Sequence, residues 1–314
     1  LSSYQIASQL RSNFFKKHFY IFDSFEGLSK FDHQNDTPIE GLQNAEARRK
    51  EFKCDEDIVK NNLKEFNFIE YKKGWIPNRF DEVLEKGTVA LSPERFEELV
   101  ETQEALMLDT RSEEEYAEEH IPNSIFIGID GNFAPWVGAL ILDIKQPIVL
   151  VTPKGREEEV VTRLSRVGYD NALGYLEGGL EAWKNAGKET DSIEQMTAQE
   201  LAQNYGSMDG EILDVRKPTE FLAQHVVDAR NFPLDYVNNN TNKLDRNQKY
   251  YLHCLGGYRS MITASILQSR GFRNLVDIVG GWRAIEESAT PKTDYVCPTT
   301  MDQETVDRAV EAVV

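Results

Sequence analysis

The chain has 314 residues, 40% of them hydrophobic, which is enough to bury ordinary cores and suggests two or three domains. Its 53 acidic residues outnumber 35 basic ones for a net charge of −18, which repels a phosphate backbone or an anionic lipid surface, so nucleic acid and membrane are excluded as partners. No apolar run approaches the roughly eighteen residues of a membrane span and no leader pattern opens the chain, so a soluble, cytoplasmic protein is expected; its first residue is Leu1 rather than Met, as in a fragment.

Residues 1–82 read as a partial α/β segment. An amphipathic helix near Ser3 to Phe14 precedes the strand "FYIFD", which ends at Asp23; a polar loop and a charged helix from Ala45 to Phe66 lead to a second strand, "FIEYKKGWIP". "FYIFDSFEGLS" followed about fifty residues later by "FIEYKKGWIP" resembles part of the macrocin O-methyltransferase family, whose fold binds S-adenosylmethionine. The resemblance implies that Asp23 would meet the cofactor ribose. The family's glycine-rich first loop and its later acidic metal ligands have no counterpart, so the segment is expected to be an inert remnant. With the exposed strand edges of half a sheet, it should be the least stable part of the chain.

From residue 83 the chain repeats itself with a period of about a hundred residues. "ALMLDTRSEEEYAEEHIPNSIFI" from Ala105 matches "EILDVRKPTEFLAQHVVDARNFPL" from Glu211. "PIVLVTPKGREEEVVTRLSRVGYDNALGYLEGGLEAW" from Pro147 then matches "YYLHCLGGYRSMITASILQSRGFRNLVDIVGGWRAI" from Tyr250. Each repeat opens with a capped helix ("LSPERFEELV", "MTAQELAQNY"), then an apolar strand ending in Asp-x-Arg, then a second helix. A buried strand follows (Ile148 to Val151; Tyr250 to His253), then a loop, a helix of 3.6 period, a glycine stop, and a short strand ending at Gly-Gly before a helix bearing Trp183 or Trp282. Alternating strands and helices imply parallel sheets flanked by helices. The expected domains are 83–190 and 191–296, joined by the linker "NAGKETDSIEQ", with a tail over 297–314 carrying one helix capped at Thr300 or Asp302.

The chemistry concentrates in "YLHCLGGYRSM". Cys54, Cys254 and Cys297 lie too far apart for a zinc knuckle or a disulfide framework, and the five histidines form no HxH or HExxH run, so no metal ligands or cofactor are visible. A cysteine attacks as its thiolate, and Cys254 stands at the end of a buried strand just before a helix N-terminus, where amides and the helix dipole favour negative charge. Gly256 and Gly257 allow positive φ, so that successive N–H groups converge on an anion; Arg259 adds a fixed positive charge, and Ser260 suits a helix cap. The loop therefore suits a thiolate, a persulfide or the anionic end of a substrate. The competing reading, a small buried hydrophobe, does not account for the converging glycines.

This loop and both repeats resemble the rhodanese (sulfurtransferase) family in tandem, over about Leu91 to Asp294. The resemblance implies that Cys254 takes a sulfane sulfur from thiosulfate or a persulfide and passes it to a thiol acceptor. The N–H groups of Leu255, Gly256, Gly257, Tyr258 and Arg259 would form its cradle, with Ser260 beside them and Arg259 closing the loop. Six residues from Cys254 to Arg259 match the sulfur-transferring members; related phosphatases and arsenate reductases carry one more. Asp214 and Arg216 are read as a charge pair tying the strand end to its neighbouring helix, and His225 and His253 as packing residues. Arg259, Arg270 and Arg273 are the local candidates for attracting an anionic donor.

In the first repeat Thr152 takes the cysteine's place and "TPKGR" is one residue shorter, so this domain is expected to be structural, with residual anion binding at Gly155 and Arg156. The wording of both repeats, including "FAPWVGALILDIKQPIVLVT" and "TDYVCPTTM", is similar to the C-terminal half of fusions in which a metallo-β-lactamase-fold domain precedes two rhodanese domains. That implies a persulfide enzyme of that fold as a partner, alongside small sulfur donors and thiol acceptors. The alternative function is a partner-fed sulfur relay or regulatory module with little turnover on small donors.

Overall fold

Capping boxes start helices in both repeats. The computed structural model describes residues 77–313 and, before them, the backbone of two short parallel strands, β1 Phe19–Ile21 and β2 Ile69–Tyr71, paired Phe19 to Ile69. These strands form a unit of their own within residues 1–80. The expected helices near Ser3 and Ala45, and Asp23 and Cys54, lie outside the described residues.

The second unit, 81–314, contains both repeats. After α1 (Pro77–Gly87) and β3 (Ala90–Leu91), Ser92 caps α2 (Pro93–Gln103) by accepting from the Arg95 N–H. The strand β4 (Leu106–Asp109) leads into α3 (Glu113–Glu118), whose capping box pairs Ser112 with Glu115. Then come β5 (Ile125–Phe126), α4 (Phe133–Leu140), β6 (Ile148–Val151), α5 (Glu157–Ser165), β7 (Ala172–Leu176) and α6 (Gly179–Asn185). The sheet order is β3-β7-β6-β4-β5, parallel throughout. Every residue of β6 is buried, as a central parallel strand covered on both faces requires.

The second repeat builds β8 (Glu194–Met196), α7 (Ala198–Asn204), β9 (Gly210–Asp214), α8 (Pro218–Ala223), β10 (Arg230–Asn231), α9 (Val237–Asn240), β11 (Lys249–His253), α10 (Tyr258–Ser269), β12 (Leu275–Ile278) and α11 (Gly281–Glu287). Its order, β10-β9-β11-β12-β8, is again wholly parallel and equivalent strand by strand to the first. Thr197 and Glu200 form the capping box of α7. The edge strands β3 and β8 escape a periodicity reading because they are two and three residues long and mostly exposed.

The segment between the repeats is tied down more tightly than a linker of its polar composition suggests. His120 and Asp191 exchange backbone hydrogen bonds of 2.9 Å, and the Ile193 N–H donates to the Ala117 carbonyl before the chain enters β8. One hydrophobic cluster runs through both repeats, from Phe126 and Leu150 to Leu252 and Ile262. Its centre is α10, whose residues from Ser260 to Gln268 are all buried. A helix that enters two domains at once cannot keep a solvent face, so its polar groups find fixed partners. Ser265 Oγ accepts from the Phe126 N–H of edge strand β5 at 3.0 Å, and Gln268 meets His120 Nε2 at 2.7 Å and donates to the Ser192 carbonyl.

At the far end, Asp302 caps α12 (Gln303–Val313) by accepting from the Thr305 N–H. No helix among the described residues is long and apolar enough to cross a membrane.

Candidate active site

β11 delivers Cys254 to the carboxyl edge of its sheet, and α10 begins four residues later at Tyr258. The thiol is 1% exposed. The Gly257 N–H points at Sγ from 3.2 Å, and the Ser260 hydroxyl stands 3.7 Å away. Of the two loop glycines only Gly257 needs its freedom: it takes φ +117°, and Gly256 does not adopt positive φ. Ser260 lies inside the helix and not at its cap; Gly257 holds that place, and Ser260 Oγ donates back to the Gly257 carbonyl at 2.8 Å. Its second neighbour is the sulfur.

The outer side of the loop is held by α11. The Trp282 N–H donates to the Cys254 carbonyl at 2.7 Å and the Arg283 N–H to the Leu255 carbonyl at 3.1 Å, so the start of this helix grips the loop backbone. Gly281, at φ +56°, makes this approach possible; a Cβ there would lie 2.6 Å from the Cys254 carbonyl oxygen. Leu255 and Gly256 remain exposed at the rim.

Asp214 and Arg216 form a buried bidentate pair, with Nη2 to Oδ2 at 2.6 Å, and Arg216 reaches on to the Gln224 carbonyl at the end of α8. Burial opposes charge on Asp214, but the guanidinium prevails and holds the carboxyl below its ordinary value. Arg216 also lies 4.2 Å from the Trp282 ring, which links the pair to the helix that grips the loop. Asp109 and Arg111 repeat this geometry in the first domain, with Arg111 on the Glu119 carbonyl. His253 is fully buried and pushed below its ordinary value by that burial, so it stays neutral; His225 stacks on Phe221 and meets that residue's carbonyl.

Two side chains of the loop have fixed partners. Arg259 does not offer a free positive charge: both its terminal nitrogens bind the Glu220 carboxylate, at 2.7 and 2.9 Å. The Tyr258 side chain does not face a substrate. Its hydroxyl donates to the Gly128 carbonyl at 2.7 Å and its ring packs edge-on against Phe126, so the loop is pegged to the first domain. Gly131 makes room for that ring, since a Cβ there would lie 2.2 Å from it. A Gly-x-x-Gly spacing in "GIDGNF" was the only local signal of this socket.

The corresponding loop of the first domain is filled by the chain's own acids. The Gly155 N–H donates to Glu157, and Arg156 binds Asp130 and Glu159, each at 2.8 Å. The groups expected to hold an anion are therefore engaged.

Sequence reasoning missed Asp277. It sits on β12 opposite Leu252, 2% exposed, with Oδ2 receiving the Gln195 amide at 3.3 Å and Oδ1 without a hydrogen-bond partner. Burial pushes its carboxyl up to about 6; nearby Ser260 and Gln195 offset part of that shift, and Glu113 of the first domain adds to it. A raised carboxyl favours folding in its neutral form, fully below the unfolded value near 3.9, and the benefit is lost as pH rises through about 6. Asp277→Asn should therefore stabilise the protein above pH ~6 by on the order of 2 kcal/mol, an advantage that vanishes below pH ~4. Paired melting curves across that pH range check this; an equal gain at both ends would contradict it.

Among the described residues no group of three His, Cys, Asp or Glu side chains could hold a metal ion. Cys254 and Cys297 are both free thiols, the latter half-exposed in the tail beside Thr299.

A family model described as "Rhodanese-like domain" matches the chain twice, over residues 92–186 and 197–288. The uncharacterized protein YqhL of Bacillus subtilis is 29% identical over 91 residues, covering 29% of this chain and 71% of that protein. The putative sulfur carrier protein YrkF of the same organism is 30% identical over 107 residues, covering 34% of this chain and 56% of that one. Among solved structures, a thiosulfate sulfurtransferase from Pseudomonas aeruginosa is 19% identical with a TM-score of 0.29, covering 71% of this chain and 47% of that one. The chain thus spans just over half of YrkF and under half of the Pseudomonas enzyme.

Proposed function

Because the chain belongs to the rhodanese-like family and carries its domain twice, we propose that it is a sulfurtransferase whose second domain carries a sulfane sulfur on Cys254. The observation that supports this most directly is the thiol itself. Of the two equivalent strand-to-helix loops only one has a sulfur, and that sulfur faces the Gly257 N–H and the Ser260 hydroxyl.

With thiosulfate as donor, the Cys254 thiolate attacks the outer, sulfane sulfur. A new S–S bond forms, the bond from that sulfur to the sulfonate breaks, and sulfite leaves with the electron pair. The terminal persulfide sulfur then carries the negative charge that the loop amide and the helix N-terminus favour. An acceptor thiolate attacks that sulfur, taking it as its own persulfide and releasing Cys254 as thiolate. No general base is required once the thiolate exists, in keeping with a neutral His253 enclosed in the sheet. The first domain contributes the socket for Tyr258 and a covered face for α10.

A second reading is a relay that accepts sulfur from a protein or low-molecular-weight persulfide. The exposed apolar side chains of Leu255 and Val279, 38% and 45% exposed, favour it, since Leu255 belongs to the loop and Val279 adjoins the Gly-Gly turn that supports it.

The test is intact mass of the reduced protein after incubation with thiosulfate, then with glutathione persulfide. A gain of one sulfur atom on Cys254 from thiosulfate, reversed by an added thiol, is the expected result. A gain from the persulfide alone selects the relay, and no gain from either rejects sulfur transfer.

A further inference from the structure

The positive charges around the loop are nearly all committed. Arg259 is held by Glu220, and Arg216 by Asp214. Arg273 binds Asp191 at 3.1 Å, and Arg270 binds Thr241 and Asn238 on the far side of α10. Each of the arginines that sequence proximity suggests already has a side-chain partner.

Arg283 differs from all of these. It lies in the first turn of α11, where its N–H is spent on the Leu255 carbonyl, while its side chain is exposed. Nη1 would be only 3.9 Å from a Cβ at Gly256, which places the guanidinium alongside the exposed part of the active loop. Among the described residues no carboxylate or hydrogen-bond partner meets it. The missing side chain at Gly256 leaves the space between guanidinium and loop unfilled.

An unpaired guanidinium at the mouth of a nucleophile's loop has a definite electrostatic consequence. The chain as a whole carries −18 charges and repels anions, so an anionic donor needs a local attraction at close range. A guanidinium also presents paired donors in a plane, which suits two oxygens of one oxyanion group.

We propose that Arg283 forms, with the loop at Gly256, the subsite that receives the oxyanion end of a sulfur donor, so that the protein selects donors of the thiosulfate or thiosulfonate class over neutral ones. Arg283 is a specificity residue here, and Cys254 does the chemistry. The proposal rests on the reading of Cys254 as the sulfur carrier.

The test uses the full chain with Cys254→Ser, which allows binding without reaction, and thiosulfate as the probe in calorimetry at low salt. Arg283→Gln should weaken thiosulfate binding about tenfold, and Arg283→Lys, which keeps the charge but not the fork, less than that. Added chloride should weaken binding in the arginine form and have little effect in the glutamine form. Equal affinity in all three proteins, or no binding in any at millimolar thiosulfate, overturns the subsite. Persulfide formation in the thiol-bearing protein is scored separately. Arginine-dependent binding without sulfur gain on Cys254 retains the subsite and rejects sulfur transfer from thiosulfate, whereas sulfur gain unaffected by Arg283→Gln retains the chemistry and rejects the subsite.

Discussion

Cys254→Ser is expected to abolish sulfur transfer from every donor while leaving the fold intact. A serine hydroxyl at neutral pH is neither a thiophile nor able to hold a second sulfur, so the residual rate should be that of the uncatalysed reaction. The first domain cannot compensate, because Thr152 occupies the equivalent place. The buried site already offers polar neighbours at the Gly257 N–H and the Ser260 hydroxyl, so exchanging sulfur for oxygen should cost about 1 kcal/mol or less. Transfer assays alongside melting curves test both halves. Retained transfer would rule out Cys254 as the carrier, and a collapse in melting temperature would show that the thiol is mainly a packing group.

Gly281→Ala should be the most damaging small substitution near the site. Two costs coincide there: the backbone at φ +56° disfavours any side chain, and the new Cβ would sit 2.6 Å from the Cys254 carbonyl oxygen and 3.0 Å from the Gly256 nitrogen. Relief requires the loop and α11 to move apart, which breaks the Trp282 and Arg283 N–H bonds to the loop carbonyls. Together the strain and the lost bonds are worth about 3 kcal/mol. Gly280→Ala is the matched control, because it has the same left-handed backbone, φ +76°, but meets only the Ala284 methyl at 3.0 Å. It should cost about 1 kcal/mol and leave the thiol's alkylation rate unchanged. Urea unfolding and iodoacetamide kinetics on the pair separate backbone strain from loop displacement. Equal behaviour of the two variants would show that the contact with the loop contributes nothing.

Much of this arrangement could be read along the chain. The duplication, the alternation of strands and helices, the helix caps at Ser92 and Thr197, and the replacement of Cys254 by Thr152 in the first repeat are all statements about order and spacing. Order and spacing are what local backbone preference and hydrophobic periodicity depend on. Which charges remain free is a different kind of fact. Arg259 looked available to an anion until Glu220, thirty-nine residues earlier in sequence, met both of its terminal nitrogens. Arg283, eight residues short of Pro291 and well outside the loop motif, was left open beside Gly256. The loop at Gly155 and Arg156 retained its anion-binding residue types, yet folding turned Asp130, Glu157 and Glu159 onto them. Tyr258 reads as part of a loop but serves as a peg in another domain, 130 positions from the carbonyl it binds. The chain by itself therefore determined the two domains and the loop that bears Cys254. Tertiary structure decided which cations and amides were left to a ligand, because pairing depends on distance in space and a sequence records distance only along the chain.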